Sequence, residues 1–237
     1  RVLRNAVAEQ SDDLFIAGDP HQRIYDTRVS LRSLGINVSG RSARLRLNYR
    51  STQEILTWAA GIMTGERVEA LDEGIDTLAD YRSRLRGSRP VLVSAGTQPE
   101  ELDALVEKVR QWLEAGVEPS DIAVAARFRE FGSRAADRLK DAGIPVVLLK
   151  DGPDPSAEGV RIATMHAMKG LEFRCVAVIG VTERALPLQA AVTPAEIDRV
   201  QHEIDMLAER SLLFVACTRA REELYVSWHG TPSPLLP

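Results

Sequence analysis

The chain alternates short apolar runs with longer segments in which apolar positions recur every three or four residues. The short runs are apolar almost throughout, which is typical of strands buried on both faces of a sheet, whereas the longer segments have helical periodicity. This alternation predicts an α/β fold with a mostly parallel sheet and flanking helices. The predicted strands cover residues 12–19, 44–47, 91–94, 122–126, 145–149, 160–164, 175–179 and 223–227, and the predicted helices cover 52–63, 100–115, 131–142 and 196–220.

Two helix boundaries carry local sequence signals. Ser51 and Glu54 have the spacing of a capping box, in which each side chain pairs with a backbone N–H at the helix start. Gly143 is suited to a left-handed helix end, and Pro145 prevents the helix from continuing. The first signal predicts that Arg50 lies directly before a helix.

Composition narrows the possible classes of protein. The 237 residues, 44% hydrophobic and 27% charged, can bury one large core, or one core and a small appendage. No apolar run approaches the roughly 20 residues of a membrane span, so we expect no membrane partner and a cytoplasmic location. A net charge of -4 argues against nucleic-acid binding through bulk charge, so any such contact must be local. Cys175 and Cys217 lack metal-ligand spacing, which predicts buried thiols and no metal site.

Polar residues cluster where the predicted elements end. GDPHQRIY contains Gln22 after a predicted strand, LNYRS contains Arg50, TMHAMKGLEF occupies residues 164–173, and VACTRA contains Arg219 late in the last predicted helix. Ligands of open α/β sheets bind at the carboxyl ends of strands. We therefore expect these four clusters to contribute to one shared site.

The four strings together resemble a known family. GDPHQRIY, LRLNYRST, TMHAMKGLEF and ERSLLFVACTRA are similar, in the right order, to motifs III, IV, V and VI of superfamily 1 DNA helicases of the UvrD/Rep/PcrA type. The resemblance extends from about residue 14 to residue 236, with residues 65–89 unmatched. One such string would be weak evidence, whereas four in order are specific.

The resemblance implies a motor of two RecA-like domains that bind ATP between them. Residues 1–27 would be the tail end of the first domain, and residues 28–237 would form the second, a P-loop NTPase fold lacking its own P-loop. The phosphate-binding GxxxxGK[ST] loop and the acidic pair that holds Mg²⁺ would lie on the first domain of the same full-length chain, because neither occurs here. This chain alone is therefore expected to be inactive as an ATPase.

The resemblance also assigns residues to the nucleotide. Arg50 and Arg219 match the two arginines that contact the γ-phosphate, where planar cationic donors stabilise the charge that shifts during phosphoryl transfer. Gln22 matches the glutamine that senses the γ-phosphate and water. Outside such motifs, arginines near a helix end more often form surface ion pairs, and a glutamine after a strand is more often a turn residue.

Further contacts follow from the same motifs. Tyr49 matches a residue that stacks near the adenine, although it could instead pack under the helix. Glu172 matches the ribose contact, and Gly170 would let the backbone approach closely. Thr164 and His166 match residues that contact phosphates of single-stranded DNA, although a buried structural histidine is the alternative for His166. One short loop would then couple the two ligands.

The chain departs from the family at several positions. Thr27 stands where better-known members have an aromatic residue that stacks on a base, and Val29 replaces the usual glycine. Base stacking contributes roughly 1–3 kcal/mol per base, so another aromatic residue would have to replace it, and Trp58 is a candidate only if it faces the groove. The position of the family's large accessory domain is reduced to residues 150–159, and the resemblance assigns no single role to Lys169.

Three functions are compatible with this sequence. The first is the C-terminal motor domain of an ATP-dependent DNA helicase or translocase, with 3′ to 5′ polarity implied by the resemblance alone. The second is a catalytically inert nucleic-acid-binding or regulatory module, against which the presence of Gln22, Arg50, Glu172 and Arg219 argues. The third is a small-molecule transferase, which the absence of a Gly-rich phosphate loop and of a nucleophile triad disfavours.

Overall fold

The protein is described here by a computed structural model. The structure describes residues 2–8, 10, 13–22, 24, 31, 34–38, 40–66, 68–69, 75–76, 78–149 and 158–237. Within these ranges, none of the helices combines the length and the apolar content that crossing a bilayer requires.

Ten strands and five α-helices make up the regular structure of the described part. The strands are β1 (Leu47–Asn48), β2 (Val68–Glu69), β3 (Ile75–Asp76), β4 (Arg82–Ser83), β5 (Val91–Ala95), β6 (Ile122–Ala126), β7 (Val146–Leu148), β8 (Val160–Thr164), β9 (Phe173–Ile179) and β10 (Ala220–His229). The helices are α1 (Val2–Ala6), α2 (Gln53–Ile62), α3 (Gln98–Glu114), α4 (Arg129–Asp141) and α5 (Arg199–Cys217).

The central sheet has the strand order β5-β10-β9-β6-β8-β7, and every neighbouring pair in it is parallel. Helices α3 and α4 pack on one face of this sheet, and α2 and α5 pack on the other. β6 is buried at all five positions because both of its faces are covered. The predicted fold class, a mostly parallel α/β sheet with flanking helices, is confirmed.

The sequence located most of the central strands within two residues, but it was wrong elsewhere. No strand includes residues 13–19, and Phe15 is almost fully exposed, because no described strand pairs with this segment. The last helix ends at Cys217 rather than at residue 220, since Ala220 already pairs with Phe173 in the sheet. Arg219 therefore lies in the turn between α5 and β10.

The start of α2 differs from the predicted capping box. Thr52 is the N-cap and accepts a hydrogen bond from the N–H of Ile55. The Ser51 hydroxyl instead donates to the carbonyl of Ala220 at 2.7 Å, which fixes this segment to the start of β10. The predicted left-handed helix end at Gly143 is confirmed by its φ of 79°.

A buried carboxylate joins α3 to the ends of two strands. Glu101 is fully buried in the first turn of α3, and its Oε1 accepts hydrogen bonds from the N–H of Gly180 at 2.7 Å and the hydroxyl of Ser227 at 2.6 Å. Its Oε2 pairs with Nδ1 of His229. A buried donor without a partner is costly. This one carboxylate accepts hydrogen bonds from donors at the ends of both β9 and β10 and so stabilises the packing of α3 against the sheet.

We expect Glu101→Ala to lower the free energy of unfolding by about 2–4 kcal/mol, because it leaves the Gly180 N–H and the Ser227 hydroxyl without their acceptor. Glu107→Ala on the same helix is the matched control, since Glu107 forms only an exposed ion pair with Arg110 and should cost about 0–1 kcal/mol. Urea unfolding curves of both variants test this. Equal losses would show that Glu101 has no special structural role.

Candidate functional site

The polar residues chosen from the sequence fall at two opposite edges of the sheet rather than in one shared site. Glu172 directly precedes β9, and Arg219 directly precedes β10, so both lie at the amino ends of their strands. Thr164 ends β8, so Thr164 and His166 lie at the carboxyl edge. The expectation of a single site at the carboxyl ends was therefore wrong, because in a parallel sheet a residue that precedes its strand and a residue that follows its strand lie at opposite edges.

Arg219 is the centre of the first group, which we call the amino-edge cluster: Asp19, Gln22, Arg50, Glu172 and Arg219. Its side chain is only 2% exposed, and it forms no ion pair with any described residue. Burial, with a further contribution from the positive charge of Arg50, lowers the pKa of Arg219 to about 10, although the negative charges of Asp19 and Glu172 oppose the shift. The guanidinium is therefore still charged at neutral pH.

Neutral oxygens are the hydrogen-bond partners of this buried cation. The Nε of Arg219 donates to the carbonyl of Val215 at 3.0 Å, and Nη1 and Nη2 make longer contacts of 3.4 Å with the carbonyl of Leu171 and the hydroxyl of Thr218. Carbonyl and hydroxyl oxygens orient a guanidinium but do not neutralise its charge. The site is thus suited to an anion.

Arg50 is held beside this site by its neighbours. The Asn48 side chain accepts hydrogen bonds from the backbone N–H groups of Arg50 and Ser51, and Ser51 in turn is tied to the start of β10. The Nε of Arg50 donates to Glu172 at 2.7 Å, and both side chains are nearly half exposed. An ion pair this exposed contributes about 0–1 kcal/mol, so a stronger anion can displace it.

Gln22 joins the cluster through Asp19. It closes a 3₁₀ turn, Pro20–Gln22, and its Nε2 donates to the carboxylate of Asp19 at 2.7 Å. His21, between them, is buried, and its ring lies 6.4 Å from the ring of Phe214 on α5, so the turn packs against the helix that leads to Arg219. The sequence predicted Gln22 but not Asp19.

The remaining nucleotide candidates have different surroundings. Tyr49 is 73% exposed at the amino edge, so it does not pack under the helix. Gly170 has a φ of 86°, and a Cβ there would meet no described atom, so backbone conformation rather than close approach requires the glycine. Trp58 is partly buried and packs against the core cluster. Thr27 and Val29 lie outside the described residues.

The second group, the carboxyl-edge cluster, consists of Arg127, Thr164, His166 and Glu209. Arg127 directly follows β6, and its Nη2 forms an ion pair with the buried Glu209 at 2.8 Å. Its Nη1 lies 3.5 Å from Nδ1 of His166. The Thr164 hydroxyl oxygen accepts the N–H of Ala167 at 3.3 Å, so this side chain also stabilises the turn that follows β8.

The charge state of His166 follows from this geometry. Burial and the positive charge of Arg127 lower the pKa of His166, and the negative charge of Glu209 only partly opposes them. The imidazole is therefore neutral at pH 7. Because a guanidinium can only donate, Nδ1 faces Arg127 as the acceptor, which places the imidazole proton on Nε2.

The loop of residues 165–172 connects the two clusters. Strand pairing places Thr164 level with Ala126, and Ala126 level with Ile179 at the end of β9. The loop starts after Thr164 but ends at Phe173, six residues before Ile179. It therefore spans roughly 20 Å along the sheet. Met165 and Met168 are fully buried beneath it. The two ends of this short loop therefore lie at opposite edges of the sheet, and the two clusters are not adjacent.

Arg127 and Glu209 were missed in the sequence reasoning. The position of Arg127 directly after an all-apolar strand could have identified it, because polar residues at strand ends are favoured sites. Glu209 gave no local signal, since a carboxylate on a long helix is usually solvated and only packing buries this one.

Neither cysteine is available to bind a metal. Burial raises the pKa of the Cys175 thiol to about 12, and burial also raises the pKa of Cys217. Over the described ranges, no three His, Cys, Asp or Glu side chains come together as a potential metal site.

A comparison with known protein families finds a match over most of the chain. Residues 43–153 and 150–231 match the model of the UvrD-like helicase C-terminal domain. The chain belongs to this family. The two matched stretches overlap at residues 150–153, within the segment 150–159 where the sequence indicated a reduced insertion.

Individual relatives of this UvrD-like domain have related names. A probable DNA helicase of Mycoplasma pneumoniae is 28% identical over 236 residues, and the match covers 94% of this chain but 40% of the relative. ATP-dependent DNA helicase UvrD2 of Mycobacterium tuberculosis is 38% identical over 80 residues, which are 34% of this chain and 11% of the relative. The chain therefore spans less than half the length of these curated relatives.

A solved structure supports the fold. The C-terminal domain of a possible DNA helicase from Lactobacillus plantarum superposes with a TM-score of 0.58 at 22% identity. The superposition covers 80% of this chain and 92% of that structure.

The lowered pKa of His166 predicts a pH-dependent stability. Below about pH 6.5 the His166 imidazole takes up a proton more readily in the unfolded chain than in the native chain. The contribution of His166 to the free energy of unfolding is therefore present above that pH and is lost as the pH falls. Urea unfolding at pH 7.5 and 5.5 should show a smaller decrease in stability for His166→Gln than for the wild type. The control variant His202→Gln retains His166, so its decrease in stability between the two pH values should still include the contribution of His166. An equal or steeper decrease in His166→Gln would contradict the assignment.

Proposed function

We propose that this chain is the C-terminal motor domain of an ATP-dependent DNA helicase or translocase with 3′ to 5′ polarity. In this proposal the amino-edge cluster contacts ATP and the carboxyl-edge cluster contacts single-stranded DNA. Membership of the UvrD-like family supports the class. The observation that carries the residue assignments is the buried, charged Arg219, which has no described ion-pair partner and lies beside Arg50.

Arg219 and Arg50 would act on the terminal phosphate of ATP. A phosphate group supplies the negative charge that the carbonyl partners of Arg219 do not, and planar guanidinium groups match the geometry of its oxygens. Because burial weakens the screening by water, the attraction is stronger at Arg219 than at an exposed arginine. This interaction stabilises the charge that shifts toward the bridging oxygen as the phosphoryl group is transferred.

Glu172 would exchange partners when ATP binds. Its ion pair with Arg50 is weak because both side chains are nearly half exposed. A triphosphate is a stronger anion than one carboxylate, so it attracts Arg50 away, and Glu172 is then able to accept hydrogen bonds from ribose hydroxyls. Gln22, oriented by Asp19, would sense the γ-phosphate and the attacking water. Tyr49 would stack near the adenine, with Gly170 shaping the loop beside it.

Thr164 and His166 would hold the DNA strand at the carboxyl edge. The neutral imidazole can donate its Nε2–H to a phosphate oxygen, and phosphate contacts position a strand without reading its sequence. Arg127, paired with Glu209, orients the imidazole through its contact with Nδ1. The loop between residues 164 and 173 would transmit a change at the nucleotide to this contact, because its ends are bonded to both edges of the sheet.

The rest of the machinery would belong to a first RecA-like domain of the full-length protein. That domain would supply the phosphate-binding loop and the carboxylates that would hold Mg²⁺, and the ion would neutralise negative charge on the phosphate oxygens. The division of this chain at residue 27 and a cytoplasmic location remain predictions. An inert module derived from a helicase is the alternative that the experiments below distinguish.

In the complete protein, we expect Arg50→Ala or Arg219→Ala to lower kcat for ATP hydrolysis by about 10³-fold or more, with a much smaller change in ATP affinity. Arg219→Lys should also lose most turnover, because lysine keeps the charge but not the planar donors. Steady-state ATPase assays and nucleotide titrations measure both effects. This chain alone should hydrolyse no ATP in the same assay.

The matched control is Arg221→Ala, which removes an exposed arginine two residues from Arg219 and should leave kcat unchanged. Parallel losses of nucleotide affinity and turnover would indicate a structural role for Arg219. If the complete protein hydrolyses ATP at a rate that neither Arg50→Ala nor Arg219→Ala changes, this domain takes no part in catalysis. That result would favour the inert-module alternative.

The loop gives a paired prediction. In the complete protein, His166→Ala should weaken single-stranded DNA affinity and DNA-stimulated hydrolysis while the basal ATPase rate stays nearly unchanged. Glu172→Ala should raise KM for ATP while DNA affinity stays nearly unchanged, because a carboxylate is repelled by phosphate and suits ribose hydroxyls. Basal rates, stimulated rates, DNA affinity and Tm decide the matter. If His166→Ala lowers Tm by several degrees and depresses both rates together, the histidine is a core residue.

A further inference from the structure

An arginine-rich surface lies on the small sheet formed by β1 and β4. Residues 41–50 and 82–89 contain eight arginines and no aspartate or glutamate, although the chain as a whole has a net charge of -4. The parallel pairing of Leu47 with Arg82 and of Asn48 with Ser83 brings the two segments together. We call this surface the arginine ridge, and all eight of its arginines are exposed: Arg41, Arg44, Arg46, Arg50, Arg82, Arg84, Arg86 and Arg89.

Part of the ridge is not neutralised by the protein. Arg46 pairs with Asp80, and Arg86 pairs with Glu54. By contrast, three arginines of the second segment form no ion pair with any described residue, namely Arg82, Arg84 and Arg89. Exposed charges of one sign raise the local concentration of the opposite charge, so the ridge attracts anions whatever the net charge of the chain.

The length of the ridge indicates what kind of anion it fits. The seven-residue step from Arg82 to Arg89 can extend up to about 23 Å, and the unpaired arginines are distributed along it. A nucleic-acid strand carries one phosphate per 3.4 Å of helix axis, so a polymeric backbone presents charge over the whole distance. One triphosphate presents its charge at a single point. The ridge also lies at the amino edge, away from Thr164 and His166.

We propose that Arg82, Arg84 and Arg89 form a second nucleic-acid contact, which binds the phosphate backbone of a segment distinct from the strand held at the carboxyl edge. The inference rests on the proposed function, because it assumes that the complete protein acts on nucleic acid. The contact is independent of base sequence, since guanidinium groups on a phosphate backbone read charge and spacing rather than base edges.

The test compares two triple variants of the complete protein. Arg82→Gln/Arg84→Gln/Arg89→Gln removes the unpaired charges, and Arg110→Gln/Arg138→Gln/Arg199→Gln removes the same net charge from ion-paired arginines elsewhere. Affinity for single-stranded oligo-dT and for a duplex with a dT tail is measured from 50 to 200 mM salt. The ridge variant should bind at least one of them about ten-fold or more weakly at 50 mM. Its slope of log K against log salt should become less steep by about 2–3.

The two nucleic acids identify the segment involved. A loss confined to the tailed duplex assigns the ridge to the duplex, and a loss on both assigns it to the single strand. Affinity and slope that match the wild type for both ligands would overturn the proposal, as would equal losses in the control variant. A raised KM for ATP with unchanged nucleic-acid binding would also overturn it, in favour of nucleotide attraction.

Two further measurements keep the result interpretable. The ATPase rate at saturating oligo-dT and the Tm should be unchanged in the ridge variant, and the single variant Arg89→Gln should reduce the slope by about 1. Absence of any DNA-stimulated ATPase in the wild-type complete protein would contradict the proposed function itself. If DNA-stimulated ATPase is present but the ridge variant keeps the wild-type slope of log K against log salt, only the ridge proposal is contradicted.

Discussion

The loop of residues 165–172 is the constraint on which the arrangement of both clusters depends. The N–H of Met165 donates to the carbonyl of Ala126 at one edge of the sheet, and the N–H of Phe173 donates to the carbonyl of Arg219 at the other. Between these ends, Met165 and Met168 are fully buried in the core, so the loop cannot lift away without exposing two large apolar side chains. Attachment at both ends and along its length holds the loop in place against the sheet. The proposed coupling of two sites roughly 20 Å apart rests on this attachment.

The amino edge is organised around Arg219, a buried positive charge that forms no ion pair within the described part of the chain. Burying a cation is unfavourable unless an anion or several oriented oxygens compensate it, and Arg219 has only the oxygens. At the carboxyl edge the opposite solution is found, because Arg127 is paired with a buried carboxylate, Glu209. The two arginines therefore differ. Arg127 is a neutralised structural anchor that orients His166, whereas Arg219 is a buried cation with only neutral oxygens as described hydrogen-bond partners.

Charge is distributed very unevenly over this slightly acidic protein. Eight arginines fall in residues 41–50 and 82–89, whereas α3, α4 and α5 carry acids and bases that pair with each other, such as Glu107 with Arg110 and Glu203 with Arg199. Paired surface charges contribute little to stability and little to the field around the protein. Unpaired charges of one sign produce that field. Net charge consequently says little about the ligands of this domain, and the position of the unpaired arginines says more.

The sequence by itself determined the elements and the identity of most candidate residues. The strands predicted at 122–126 and 160–164 correspond to β6 and β8 without error. The run at 122–126 is apolar throughout, which is typical of a strand buried on both faces. The glycine at position 143 ended α4 as expected, since a left-handed conformation is a local property. Only the folded chain shows that Thr52 rather than Ser51 caps α2 and that Glu209 meets Arg127. Both outcomes depend on contacts between residues 80 or more positions apart, such as Ser51 with Ala220, which local periodicity does not encode.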